Sequence, residues 1–179
     1  VGLYSSLAVV DGQPAISYYD KTNGDLKYAR YDGNTWQITR VDSTGDVGAT
    51  NSLAVVGGQP AISYYDKTNG DLKYARYDGS AWQITPVDST GDVGWNPSLG
   101  VIDGLATIGY YDSTRATVKV ARNRYLLTGA TTGSGAGSLT FSPSGGFYAP
   151  GTVVTVTATP ATRSFFAGWS GDCTGMGPC

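Results

Sequence analysis

The chain has 179 residues, with 12 Lys and Arg set against 14 acids for a formal net charge of −2, and every acid is Asp: neither Glu nor His occurs. Without His there is no Ser-His-Asp or Cys-His catalytic unit and no His-ligated zinc site; without Glu, Asp is the only carboxylate left for acid–base work. A charge this small gives no electrostatic footprint for nucleic acid or an anionic membrane surface, no apolar run is long enough to span a bilayer, and no cationic-then-apolar leader opens the chain.

The absence of Glu and the single Met disfavour long helices. Val, Ile, Thr and Tyr, punctuated by Gly, Asn and Asp, favour an all-β chain. Self-similarity sets the organisation. Residues 1–46 align with 47–92 at a fixed offset of 46, with Val1-Gly2 matching Val47-Gly48, and differ only at positions 3, 4, 5, 11, 34, 35 and 40, so that 39 of 46 are identical. A third copy starts at Val93, runs from Ser98 to Arg122 and then stops matching. Near-identity of this kind marks recent duplication, so an unchanged residue is not thereby shown to be functional.

In chain order, one copy predicts strands over Ser6–Val10, Pro14–Tyr19, Leu26–Tyr31 and Trp36–Val41. The breaks are turn chemistry: Asp11-Gly12, Asp20 to Gly24, and Asp32-Gly33, pairs that tolerate positive φ and signal tight hairpins. Four hairpin-linked strands make a meander the size of a β-propeller blade, about 40–50 residues. Pro86 replaces Arg40 in the fourth strand of copy two, which suits the outermost strand of a blade. The expected fold is therefore all-β: a partial β-propeller of four-stranded blades over residues 1–127, with two full repeats and a partial third. Because a closed propeller takes about 4–8 blades, the ring is expected to be completed by the rest of a longer polypeptide or by further copies of the chain.

Thr128–Gly137 reads as a small-residue linker. Residues 138–179 read as a small β module with alternation over Val153–Thr157, between Gly151 and Pro160. Cys173 and Cys179 fit either a short disulfide loop or half of a metal site. With no His and no other Cys the metal reading lacks ligands, which makes a disulfide, and with it an oxidising compartment, the expectation.

The repeat SLAVVDGQPAISYYDKTNGDLKYARYDGNTWQITRVDSTGDVG resembles the propeller-like repeats of secreted bacterial proteins, distantly akin to sialidase-type and lectin propellers, over residues 1–122. Its YDGNTW segment resembles the sialidase Asp-box turn S-x-D-x-G-x-T-W but lacks the residue between Asp32 and Gly33, and copy three has Asn123-Arg124-Tyr125 instead. Tyr148, Gly151, Val153–Ala158, Phe166, Gly168–Cys173 and Cys179 resemble the divergent relatives of listerial internalin B-repeats, β-grasp-like modules of secreted and surface proteins. That family carries one more strand after its second cysteine, so the resemblance implies an open edge here, through truncation or completed by another chain.

In a blade the turn Asp20–Asp25 and the linker Asp42–Asp46 share one face, while Asp11-Gly12 and Asp32-Gly33 lie on the other. Asp20, Asp25, Asp66 and Asp71 are thus candidate calcium ligands, against the plainer reading that each caps its own turn; no other cofactor is expected. Tyr19, Tyr28 and Trp36 with their copies Tyr65, Tyr74 and Trp82 are candidate sugar-stacking platforms, against the alternative of packing between blades. Arg30 and Arg76 would add donors for an acidic sugar, and Trp95 stands in the loop where the copies diverge most (LYS, ATN, WNP). A sialidase-like site would need a Glu to activate its Tyr nucleophile, so Arg30, Arg76 and Arg122 read as repeat copies and no catalytic residue is assigned. The functional expectation is a non-catalytic, secreted or cell-surface bacterial protein for recognition or scaffolding, multivalent, with glycans or surface proteins as partners. The alternatives are a structural subunit of an extracellular fibre, sheath or surface assembly, and a fragment of a sialidase-like glycoside hydrolase.

Overall fold

A computed structural model describes residues 2–122, 125–148, 152–177 and 179; Val1, Asn123, Arg124 and Gly151, which entered the sequence comparisons, lie outside them. The chain is all-β and divides into two compact units, Val1–Arg122 and Asn123–Cys179. Among the described residues no helix is long and apolar enough to cross a membrane.

The first unit is a partial propeller-like series of three antiparallel sheets, each a meander with its strands in sequence order. The first contains β1 (Gly2–Val10), β2 (Gln13–Asp20), β3 (Asp25–Tyr31) and β4 (Trp36–Asp42). The second contains β5 (Val47–Val56), β6 (Gln59–Asp66), β7 (Asp71–Tyr77) and β8 (Trp82–Asp88), and the third β9 (Val93–Ile102), β10 (Leu105–Asp112) and β11 (Thr117–Arg122). The hairpin chemistry acts as the sequence implies. Asp11 and Gly12 have φ of 48° and 74°, and the copies Gly57-Gly58 and Asp103-Gly104 keep both angles positive, which is why Asp and Gly exchange freely at the first of the two positions.

The first strand of each sheet is longer than its apolar run because a bulge extends it. In β1 the pairing with β2 shifts between Leu3 and Ser6, and Tyr4 takes φ 52°; Thr50 and Asn96 take 44° and 47° at the same place. Positive φ in a Tyr and a β-branched Thr is strained, and all three copies hold it.

Sheets pack face to face through a repeated apolar layer. Val10, Ala15, Leu26, Tyr28 and Val41 of the first meet Val47, Leu53, Ile62, Tyr64 and Ala75 of the second. Val56, Ala61 and Leu72 meet Val93, Leu99, Ala106, Ile108 and Tyr110 of the third in the same register. Gly48 and Gly94 let the linker strand pass close: a Cβ on either would sit 2.7 or 2.6 Å from the Cα of Leu26 or Leu72. Pro86 lies on β8, at the outer edge of its sheet, paired with Lys73.

In the second unit β12 (Tyr125–Leu126) pairs with β14 (Phe147–Tyr148), and β13 (Gly137–Ser142) with β15 (Thr155–Pro160). The strand expected over Val153–Thr157 starts two residues later: Val153 is exposed and pairing begins at Thr155 opposite Ser142. Gly137, read as linker, already belongs to β13, opposite Pro160. Cys173 and Cys179 form a disulfide with their Cα atoms 5.8 Å apart. Trp169 packs edge-on against Phe166 at 4.9 Å and donates its indole N–H to Gly177 O at 2.8 Å.

Candidate functional site

The turn after each second strand and the linker to the next sheet lie together, tied by Val47 N–H to Gly24 O and Val93 N–H to Gly70 O, both at 2.9 Å. Two clusters of aromatic and acidic side chains form there, one per junction. At the second, Tyr65 Oη donates to Asp92 Oδ1 at 2.7 Å, Trp95 Nε1 donates to the same oxygen at 3.0 Å, and Ser113 Oγ donates to Asp92 Oδ2 at 2.7 Å. The Tyr65 and Trp95 rings stand 4.5 Å apart at 32°. Burial and the bond to Asp92 push the Tyr65 hydroxyl well above the usual phenol range, while the donors, Tyr65 first, hold the Asp92 carboxyl low. Asp92 is therefore a fixed acceptor beside a partly exposed indole.

The first junction repeats the plan with other neighbours. Tyr19 Oη donates to Asp46 Oδ1 at 2.6 Å, and Lys67 pairs with Asp46 Oδ2 at 2.8 Å. The Lys67 ammonium lies 5.9 Å from the Tyr19 ring centre, within cation–π range. Tyr4 takes the partner-ring role of Trp95, 6.4 Å from Tyr19, and is exposed. Burial works against ionisation of Asp46, and the bonds from Lys67 and Tyr19 outweigh it. Both clusters are bordered by the strained bulge residues, Tyr4 in the first and Asn96, next to Trp95, in the second.

The other candidates have different surroundings. Tyr28 is buried in the first junction, edge-on to Trp82 at 5.2 Å, and Tyr74 is half-buried against the second core layer. Trp36 is the copy of Trp82 but is 44 % exposed, touching Tyr31 at 5.7 Å. Each arginine closes the first hairpin of its own sheet: Arg30 on Asp11 at 3.0 Å, Arg76 on Val56 O at 3.4 Å, and Arg122 on Asp103 and Ile102 O at 2.7 Å. Of the four carboxylates proposed for calcium, Asp20 and Asp66 cap turns and face lysines. Asp20 accepts from Lys27 at 2.5 Å, Asn23 at 2.7 Å and Thr22 N–H at 3.1 Å. Asp66 accepts from Lys73 at 2.7 Å and Asn69 at 2.9 Å. Asp25 lies 3.9 Å from Arg40, and Asp71 is half-buried at the start of β7. Among the described residues no three Asp or Cys side chains converge to hold a metal ion.

Sequence reasoning put Asp46 and Asp92 among the acids of the candidate calcium face and Tyr4 in the divergent loop, without pairing them with Tyr19 or Tyr65, and it passed over Lys67 and Ser113. The available signal was the constant separation of 27 residues between each Tyr and its Asp. Duplication hid it by making every residue in the interval look equally retained.

No curated protein sequence matches the chain. Among solved structures, the chain is similar to a fucose lectin from Kordia zhangzhouensis, determined in complex with methyl-fucoside, at 18 % sequence identity and a TM-score of 0.45 over 66 % of this chain and 90 % of that one. The family model of the divergent InlB B-repeat domain matches residues 127–179, which takes in the small C-terminal module with its disulfide.

Proposed function

We propose that the chain is a non-catalytic extracytoplasmic recognition protein that binds carbohydrate at the two sheet junctions. The observation that carries this reading is the Tyr65–Trp95–Asp92 cluster: a partly exposed indole beside a carboxylate held ionised, at the bulge where the copies diverge. An aromatic face packs against the C–H face of a sugar while a fixed carboxylate accepts from its hydroxyls. Two clusters on one chain would act together on a polymeric or surface-bound glycan, raising apparent affinity through effective concentration. The Cys173–Cys179 disulfide supports an oxidising location. An array of neutral and acidic oligosaccharides probed with the full chain tests the reading. Hits that Trp95→Ala weakens by about tenfold or more, with unchanged thermal unfolding, support it, in line with loss of an aromatic anchor; an array without hits contradicts it.

A further inference from the structure

The two junctions differ at one position that decides what their aspartates face. Residues 67 and 113 are copies, and their backbones are held alike: Lys67 N–H donates to Asp46 O and Ser113 N–H to Asp92 O, both at 2.9 Å. Asp46 N–H and Asp92 N–H in turn each donate to a threonine hydroxyl, Thr68 or Thr114, at 2.7 Å. At the first junction the side chain in this frame brings an ammonium: Lys67 Nζ pairs with Asp46 Oδ2 at 2.8 Å and lies 5.9 Å from the centre of the Tyr19 ring. At the second it is a serine, whose hydroxyl lies 2.7 Å from Asp92 Oδ2 and 2.9 Å from Asp92 O. One proton there serves two acceptors, and the serine brings no charge.

Asp92 is left an anion whose side-chain donors are all neutral. Tyr65 and Trp95 both donate to Oδ1, and Oδ2 has only the shared serine proton, so that of the roughly four lone-pair positions of a carboxylate one on Oδ2 stays open. Arg115, in the same turn as Ser113, is held by Asp112 Oδ2 at 2.9 Å and Thr90 O at 3.1 Å, and among the described residues no cation pairs with Asp92. The Tyr65 and Trp95 rings flank this carboxylate, 4.5 Å apart, with the indole partly exposed. The opening is not made by the edge of the sheet series: the first junction has a further sheet beyond it, and Lys67 and Asp46 still keep 43 % and 40 % of their side-chain surface exposed.

Resting on the carbohydrate reading above, we infer that the second junction seats a primary ammonium, so that the sugar it takes is an amino sugar with its amine free. The ammonium stands where that of Lys67 stands in the first junction, donating to Asp92 Oδ2 within cation–π range of the Tyr65 and Trp95 rings, and the sugar ring lies against the exposed part of the indole. N-acetylation removes the charge and two of the three N–H donors, which makes the acetylated sugar the poorer ligand. The first junction supplies its own ammonium and has no seat for another.

The test compares the linear trimers of glucosamine and of N-acetylglucosamine by calorimetric titration into the full chain, at a pH where the free amine is protonated and at one fixed ionic strength, because salt screens the contact. The glucosamine trimer should bind about tenfold tighter or more than the acetylated one, as expected for a hydrogen bond between charged groups. Ser113→Lys, which gives the second junction the side chain that fills the first, should abolish that preference, and Asp92→Asn should lower the glucosamine trimer to the level of the acetylated one; a thermal melt establishes that each variant is folded. Equal affinity for the two trimers, both weakened in Trp95→Ala, overturns the inference while the carbohydrate reading stands. A preference for the amine that folded Ser113→Lys leaves unchanged also overturns it, since general attraction of a cation to an acidic chain would then account for the preference. A lysine tripeptide is the control for charge alone, and affinity equal to that of the glucosamine trimer overturns the assignment to an amino sugar. Binding of neither trimer overturns the inference, and the wider carbohydrate reading then rests on the oligosaccharide array.

Discussion

The hydroxyl of Tyr64 crosses from the second sheet to the first and donates to Asp42 Oδ2 at 2.7 Å, with the tyrosine fully buried. Tyr110 makes the same bond to Asp88 at 2.8 Å. These bonds pin the register of one sheet on the next where packing alone would allow sliding.

Removing the hydroxyl leaves a buried carboxylate short of a donor. Tyr64→Phe should therefore cost about 1–3 kcal/mol, read as a lowered denaturant midpoint with unchanged slope. A change within about 0.5 kcal/mol would mean that Lys73 and the Thr44 N–H satisfy Asp42 without the tyrosine.

Identical serines should respond in opposite directions. Ser17 Oγ donates to Asn51 Oδ1 at 2.5 Å, and Asn51 in turn donates to Tyr4 O and Gly48 O. In the next copy Pro97 stands where Asn51 does, and among the described residues the fully buried Ser63 Oγ has no partner. Ser17→Ala should destabilise by about 1 kcal/mol, whereas Ser63→Ala should be neutral or stabilising. Equal losses in thermal unfolding would refute the assignment.

Acid should unfold the first unit at low pH. Burial favours protonated Asp88, but the bonds from Lys119 and Tyr110 outweigh it and hold its carboxyl at about 2, below the ordinary 3.8; Asp66, Asp92 and Asp112 are lowered as well. A depressed folded value means stability that is present above about pH 4 and lost as pH falls toward 2. Tyr64 and Tyr65 are raised, first by burial, so stability should also fall above about pH 10, where the unfolded phenols ionise. With no His in the chain, thermal melts between those limits should show little pH dependence, and Asp88→Asn should flatten the acid limb.

Much of the fold was legible because local chemistry determines it: alternating runs made the strands, and Asp-Gly and Asn-Gly pairs made the hairpins. Burial was not legible, since it depends on a neighbour rather than on the strand itself. Leu7 and Leu53, or Trp36 and Trp82, are matching positions of near-identical copies and yet differ in burial, according to whether a sheet packs in front of them. The candidate site was legible in part. Trp95 stood out by divergence and Tyr19 and Tyr65 by type, but the bonds to Asp46 and Asp92 span 27 residues, and no local pattern encodes them. Trp82, an equal candidate with Trp36 by sequence, faces Tyr28 across a junction, which moves the informative substitution to Trp95.

Calorimetric titration of the strongest glycan from the array into the full chain and into Trp95→Ala tests the central claim most directly. Two clusters predict two sites per chain, with the substitution at Trp95 removing one and leaving the Tyr4–Tyr19–Asp46 site intact. Unchanged stoichiometry and affinity in Trp95→Ala, with the protein folded, would contradict binding at the junctions.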